Sequence, residues 1–178
     1  MVKVMAEDAF ESIVAAHHGE IRRYLLRTTG RATEADDLSQ ETFLRAFRAF
    51  RGLPPDANVR AWLFAIATNL MRNHFRAQSR RRRAYAAVAV EPRGPDGRPE
   101  AQAESSEARA RLEGLIEGLP LKQRLAFTMR KMHGLEYEAI GQSLRCSVDS
   151  ARANVFQALR KIRRGLDDLA PVAMEPER

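Results

Sequence analysis

Apolar residues recur at steps of three and four over most of this chain, the period of a helix face. Phe10, Ile13, Val14, His17, Ile21, Tyr24 and Leu25 share one face of a first predicted helix, which Gly30 ends. A second opens near Thr33, where Thr33 offers a capping hydroxyl and Glu34, Asp36 and Asp37 put acids in the first turn. It runs to about Phe50, with Phe43, Phe47 and Phe50 as its buried seam. The stretch from Arg51 to Val59 is predicted to be a loop, because Gly52, Pro54 and Pro55 stop a helix from continuing. A third helix follows from Arg60 and buries Leu63, Ile66, Ala67 and Leu70. Further on, Leu112, Leu115, Ile116 and Leu119 form an amphipathic pair of turns before Pro120. Leu121, Leu125, Met129 and Met132 form the next, which ends near Gly134.

The last third carries two more short amphipathic helices joined by a tight turn. The first lies within the run from Gly134 to Leu144, and Arg145, Cys146 and Ser147 lead into the second, from Val148 to Ile162. Val148, Ala151, Val155, Ala158 or Leu159, and Ile162 make a docking stripe on the second helix. Ser150, Ala153, Asn154, Gln157, Lys161 and Arg164 then face outward, with Ser147 as a candidate N-cap. One apolar stripe to dock and one polar stripe to read is the pattern of a helix-turn-helix, whose second helix enters the major groove. Small and amide side chains near the helix start suit base edges, while Arg160, Lys161, Arg163 and Arg164 fall where phosphates would lie. An ordinary helical hairpin with basic residues at its C-terminal end is the alternative.

Between these halves the periodicity vanishes. Pro92, Gly94, Pro95, Gly97 and Pro99 break helix and strand alike, so the chain divides into a domain over 5–85, a flexible linker over 86–106 and a domain over 107–170. The predicted class is all-α, two small helical domains with the helix-turn-helix in the second. The linker is locally acidic through Glu91, Asp96, Glu100, Glu104 and Glu107, for solubility or for a role of its own.

Two polar stripes remain in the first half. Asp37, Gln40, Glu41, Arg45 and Arg48 line up on the second helix, as a solvated face or as a contact surface. Asn69, Asn73, Arg76 and Arg80 line up on the third, two amides followed by guanidinium groups, as suits bases followed by phosphates. Trp62 fits the core better than a base stack, and the run Arg80–Arg83 is either a solvated helix end or a phosphate contact.

The charge balance agrees with an acidic partner. There are 30 Lys and Arg against 23 Asp and Glu, a formal charge of +7 and a pI near 10.3. No apolar run is long enough to cross a membrane, and the first residues turn acidic before a signal-peptide core can develop, so a cytoplasmic protein is expected. With Cys146 alone there is neither an intramolecular disulfide nor a thiolate zinc cluster, and of the 4 histidines the adjacent His17 and His18 point to different sides of a helix with no carboxylate partner at useful spacing. No metal, cofactor, catalytic set or small-molecule substrate is predicted. Asp36, Asp37 and Glu41 do not complete a magnesium site, since adjacent aspartates diverge on a helix.

Three segments taken in order resemble the extracytoplasmic-function (ECF) sigma factors of bacterial RNA polymerase: Asp36 to Phe47, Arg60 to Leu70, and Leu119-Pro120-Leu121-Lys122-Gln123-Arg124 before the helix-turn-helix. The resemblance implies promoter-specific initiation with core RNA polymerase and promoter DNA as partners, and an anti-sigma protein as a further one. It implies that Asp37, Gln40, Glu41, Arg45 and Arg48 bind the polymerase clamp. The loop from Gly52 to Val59 would capture a flipped minus-ten base together with the following helix, which makes Asn58, Trp62, Asn69, Arg72, Asn73, Arg76 and Arg80 the candidate contacts. Ser147, Ser150, Arg152, Ala153, Asn154, Gln157 and Lys161 would read the minus-thirty-five element, and the linker would lie in the RNA exit channel. Arg145 stands where the family often has Gly, and Ala153-Asn154 where it often has Ser-Arg. By side-chain chemistry Asn154 and Gln157 suit adenine. The competing function is a repressor or activator that binds duplex DNA without polymerase, leaving the asparagine face unused.

Overall fold

The structure is a computed structural model that describes residues 2–86 and 103–168, and all regular structure among them is helical. Helix α1 spans Val2–Thr29. It stops at Gly30, whose φ of 73° makes the left-handed turn and whose N–H returns to Leu26 O at 2.9 Å. Helix α2 spans Ala32–Ala49 and tightens into a 3-10 turn, Phe50–Gly52. The cap expected at Thr33 does not form. Arg31 holds the N-cap position with extended backbone and no side-chain cap, and Thr33 already lies in the first turn. Thr29 closes the short link instead, its Oγ1 accepting the Arg31 N–H at 3.3 Å.

Helix α3 spans Val59–Ala86 and α4 spans Ala103–Glu117. Residues 87–102, most of the predicted linker, lie outside the described residues, and α4 opens inside the stretch assigned to it. After Pro120, α5 (Leu121–Phe127) widens into a π turn, Thr128–Met132. The turn to the next helix is closed by Leu135 N–H bonding Met129 O at 3.0 Å, and Gly134 has φ 64°. Helix α6 (Tyr137–Leu144) and helix α7 (Val148–Asp167) complete the chain's described part.

The two halves share one core. Phe10, Ile21, Tyr24 and Leu25 of α1, Phe43 and Ala46 of α2, and Leu63, Phe64, Ala67 and Met71 of α3 belong to the same buried cluster as Leu125, Met129, Leu135, Ile140, Leu144, Ala151 and Val155. A smaller cluster of Ile116, Leu119, Phe127, Ala158 and Ile162 joins α4 to α7. Every fully buried Leu or Phe in these clusters contributes on the order of 2 kcal/mol of transfer free energy. Helix α6 lies along α3, and Tyr24 Oη shares a 2.9 Å hydrogen bond with the buried Thr68 Oγ1. Thr68 Oγ1 in turn reaches Met129 Sδ of the second half at 3.9 Å. Burial pushes the Tyr24 phenol far above its ordinary range.

One member of the predicted α2 seam is displaced from the core. Phe47 is 47 % exposed, and Ala46 takes the buried position beside Phe43. Phe47 rests edge-on against the Phe10 ring at 5.2 Å, on the rim of a groove lined also by Val14, His18, Gln40 and Leu44. Phe43, Phe47 and Phe50 do share a side of the helix, and both Phe47 and Phe50 meet Phe10; Phe47 stays half-exposed because it sits at the rim of the α1–α2 contact rather than within it.

Candidate nucleic-acid and polymerase interfaces

The turn between α6 and α7 is closed by backbone. Arg145 adopts left-handed φ 53°, ψ 56°, and its N–H reaches back to Gln142 O and Gly141 O. Cys146 N–H bonds Gly141 O at 2.9 Å, and a Cβ on Gly141 would lie 2.9 Å from Cys146 O, so only glycine lets the chain pass there. Ser147 is the N-cap of α7, its Oγ accepting Ser150 N–H at 3.2 Å. Ala151, Val155, Ala158 and Ile162 dock the helix, which settles the choice between Ala158 and Leu159, because Leu159 stays exposed.

Ser150, Ala153, Gln157, Lys161 and Arg164 face solvent, with Asn154 half-buried among them. Arg152 turns aside, pairing with Asp149 at 3.5 Å and lying over the Tyr137 ring at 5.4 Å. Both amides of this face are tied inward. Asn154 Nδ2 donates to Ser150 O at 2.7 Å, and Gln157 Oε1 accepts from Gln123 Nε2 of α5 at 2.7 Å.

On α3 the residues proposed from sequence divide by exposure. Asn73, Arg76 and Arg80 face solvent and, with Ser79 and Arg83, line a shallow polar depression. Asn69 is half-buried. Asn58 caps the helix, its Oδ1 accepting Ala61 N–H at 2.9 Å, while Trp62 packs half-buried against the core. Arg72 is drawn to the other half, where its Nη1 donates to Leu144 O of α6 at 3.4 Å.

The stripe on α2 is outermost in the fold. Asp37, Gln40, Arg45 and Arg48 are exposed and Glu41 half-exposed, with one pair among them, Arg45 Nε to Glu41 Oε1 at 2.6 Å. Asp36 beside them is paired with Arg22 at 2.6 Å, which holds its carboxyl below the usual range. Leu44 and Phe47 add exposed apolar surface next to this stripe.

A cluster that sequence reasoning missed fastens the halves together. Arg60 of α3 forks onto Glu20 of α1, Nε to Oε2 at 3.0 Å and Nη2 to Oε1 at 2.5 Å. Arg60 Nη2 also donates to the backbone carbonyl of His133, and His133 Nδ1 lies 3.3 Å from Glu20 Oε1. The His133 ring, only 4 % exposed, packs on Phe64 at 5.2 Å and edge-on to Tyr24 at 5.7 Å. The Arg60 hydrogen bond holds Glu20 below its usual pKa, and burial depresses His133 despite the Glu20 carboxylate beside it. These residues are separated by 40 and 73 positions, and neither periodicity nor any local motif links them.

Among the described residues no three His, Cys, Asp or Glu side chains converge as a metal would require, and no helix is long and apolar enough to cross a membrane. What the geometry does define is an all-helical protein with a capped helix-turn-helix and a second basic, amide-bearing helix, the class of helix-turn-helix proteins. Residues 13–81 match the Sigma-70 region 2 family and residues 109–162 match Sigma-70, region 4. The chain is 31% identical over 169 residues to the RNA polymerase sigma-H factor of Pseudomonas aeruginosa, covering 90% of this chain and 88% of the relative. It is 28% identical to the ECF RNA polymerase sigma-E factor of Haemophilus influenzae, covering 90% and 89%. The sigma factor RpoE from Bartonella quintana, solved in complex with the anti-sigma factor NepR, has the same fold, with TM-score 0.72, 19% identity and coverage of 89% and 97%. The chain belongs to the ECF sigma factors of RNA polymerase. As such it binds core RNA polymerase and promoter DNA and directs transcription initiation.

Proposed function

We propose that this sigma factor works in the cytoplasm by dividing recognition between its two lobes, without catalysis of its own. Residues 5–85 would carry minus-ten recognition and melting, and residues 107–170 minus-thirty-five recognition, joined by the linker over 86–106. In this reading Asp37, Gln40, Glu41, Arg45 and Arg48 meet the polymerase clamp. Asn69 and Asn73 receive an extruded base, supported by Asn58, Trp62 and Arg72, while Arg76 and Arg80 take phosphates. On α7, Ser147, Ser150, Arg152, Ala153, Asn154, Gln157 and Lys161 address the duplex. The observation that carries this reading is the capped α7, with four side chains docked and a polar face left in solvent. An anti-sigma protein is a further partner, as NepR is for the Bartonella protein.

Run-off transcription on a library of promoter fragments, with core polymerase and with or without this protein, tests the proposal. Protein-dependent initiation at a two-element promoter, weakened by Asn69→Ala, is the expected result. Absence of stimulation alongside specific duplex binding by the protein alone would instead favour a repressor or activator.

A further inference from the structure

Phe156 falls in neither of the two stripes that the periodicity of α7 marks out, yet among the described residues it is the most exposed large apolar side chain, at 66 %. At about 100° per residue, Ala153 stands opposite the docked stripe of Ala151, Val155, Ala158 and Ile162. Phe156 and Gln157 flank Ala153 on either side, each about 130° from the centre of that stripe. The phenyl ring is therefore as central to the solvent face of α7 as the Gln157 amide. One turn before and after it stand Arg152 and Arg160, both exposed, while Leu159 lies nearer the docked stripe. The ring is thus bracketed by cations and is not part of a broad apolar face. We propose that Phe156 determines specificity at the α7 face by packing on the 5-methyl group of a thymine in the major groove.

The chemistry follows from what the groove offers. Every base pair presents hydrogen-bond donors or acceptors there, and the thymine methyl is the one kind of apolar group among them. A phenyl ring has no hydrogen bond to give. Set against the N7 and O6 of guanine or the amino group of cytosine, it would take a polar edge out of water without replacing the bonds lost. Set against the methyl, both partners leave water together, which is favourable. The neighbours suit such a contact. Ala153 carries only a methyl group and lets the helix come close to the base edges, and the Arg160 guanidinium beside the ring is free to meet a phosphate.

This role rests on α7 addressing the duplex, and the two are tested together but apart. The full chain, alone and with core RNA polymerase, selects duplexes from a library randomised over eight positions, as wild type, Phe156→Ala and Gln157→Ala. The wild type is expected to select thymine at a position where Phe156→Ala shows no preference. The urea midpoint and helix content of Phe156→Ala should stay those of the wild type, because the side chain is exposed. At the position so found, deoxyuridine lacks only the methyl and should bind the wild type about 4-fold more weakly than thymine, the worth of one buried methyl group. 5-Methylcytosine should bind it more tightly than cytosine by a similar factor. Phe156→Ala should bind both members of each pair equally. Equal binding of thymine and deoxyuridine by the wild type, discrimination kept in Phe156→Ala, or selection of another base at that position would each overturn the assignment. So would weaker transcription by Phe156→Ala with every base preference unchanged, which would place the ring against polymerase. If Gln157→Ala alters selection and Phe156→Ala does not, α7 still addresses the duplex and only the thymine contact fails. If neither variant alters selection, or no sequence is enriched in any arm, the reading of α7 fails with it.

Discussion

Removing the Arg60 side chain tests whether the two halves are held together as the structure shows. Arg60→Ala deletes a forked ion pair to Glu20, a hydrogen bond to the His133 carbonyl and a guanidinium 5.5 Å from the centre of the Phe64 ring. The Arg60 and Glu20 side chains are 36% and 20% exposed, between the surface pairs that contribute about 0.2–1 kcal/mol and the buried pairs whose rupture costs about 3–5 kcal/mol. Glu20 and Arg60 both belong to the first half, so of these contacts the bond to the His133 carbonyl is the one that bears on closure; a hydrogen bond from a charged donor contributes about 1.5–3 kcal/mol, and a loss of about 2 kcal/mol is expected, a factor of about 30 in the ratio of closed to parted halves. With a urea slope near 2 kcal/mol/M for a chain of this size, the unfolding midpoint falls by about 1 M. Small-angle scattering of the full chain should show a larger radius of gyration than the compact wild type. A midpoint shift corresponding to less than about 0.5 kcal/mol, with unchanged scattering, would mean that the shared core holds the halves without this cluster. Acid should act in the same direction. His133 is depressed from 6.5 by burial and by the Arg27 and Arg60 charges, against the opposing pull of Glu20, so its contribution is fully present above pH 6.5 and is lost as pH falls. Glu20 is depressed from 4.5, and its contribution is lost only below that value. Scattering between pH 7.5 and 5.5 therefore reports His133, and an insensitive or oppositely signed profile would refute the assignment.

Two backbone changes in the helix-turn-helix have opposite expected signs. Arg145→Gly relieves the left-handed φ of 53° and should raise stability by about 1 kcal/mol in denaturant unfolding, less the entropy glycine brings to the unfolded chain. Gly141→Ala places a Cβ 2.9 Å from the Cys146 carbonyl and should cost about 1–3 kcal/mol while leaving helix content by far-UV circular dichroism nearly unchanged. Gly165→Ala, by contrast, should cost less than about 1 kcal/mol, because the atom 2.3 Å from its Cβ is Cδ2 of the half-buried Leu115, a side chain free to turn aside, and alanine favours the helix.

Local patterns carried the helices, since side chains three and four apart must share a face whatever else the fold does. The N-cap at Ser147 and the docking stripe of α7 were legible for that reason, down to the single ambiguity between Ala158 and Leu159. Phe47 was not, because the limit of an apolar stripe depends on what the opposing helix offers, and α1 places Phe10 at the rim. The Glu20, Arg60 and His133 cluster left no trace, since its residues come from three elements that touch only in the folded chain. Gln123 is intermediate. It stands inside the segment from Leu119 to Arg124 that resembles the sigma family, yet its partner Gln157 lies 34 residues away and only packing of α5 on α7 reveals the bond.

The shared core has a consequence for the proposed division of labour. Elements centred about 25 base pairs apart are separated by about 85 Å at 3.4 Å per pair. A compact chain of 178 residues has a radius of gyration of about 16 Å, hence a breadth of about 40 Å. Both elements cannot be engaged while α6 lies on α3. The 16 residues between Ala86 and Ala103 have a contour length of about 55 Å, enough to let the lobes separate to the promoter distance once parted. The exposure of the candidate surfaces follows the same order. The α2 stripe and the polar face of α7 are open in the closed arrangement, whereas Arg72 is bound to Leu144 O and Asn69 is half-buried. On the proposed assignment, polymerase binding is compatible with the closed form, and full use of the α3 face requires that the Arg60 and Glu20 contacts to His133 and the α3–α6 contact be given up first. The free energy for that comes from polymerase and DNA contacts, and apparent promoter affinity is reduced by whatever fraction of the protein is closed. Arg60→Ala should then lower the protein concentration needed for half-maximal transcription, up to the factor of about 30 by which it opens the lobes. If a variant shown by scattering to be open needed as much protein as the wild type, opening would not limit initiation.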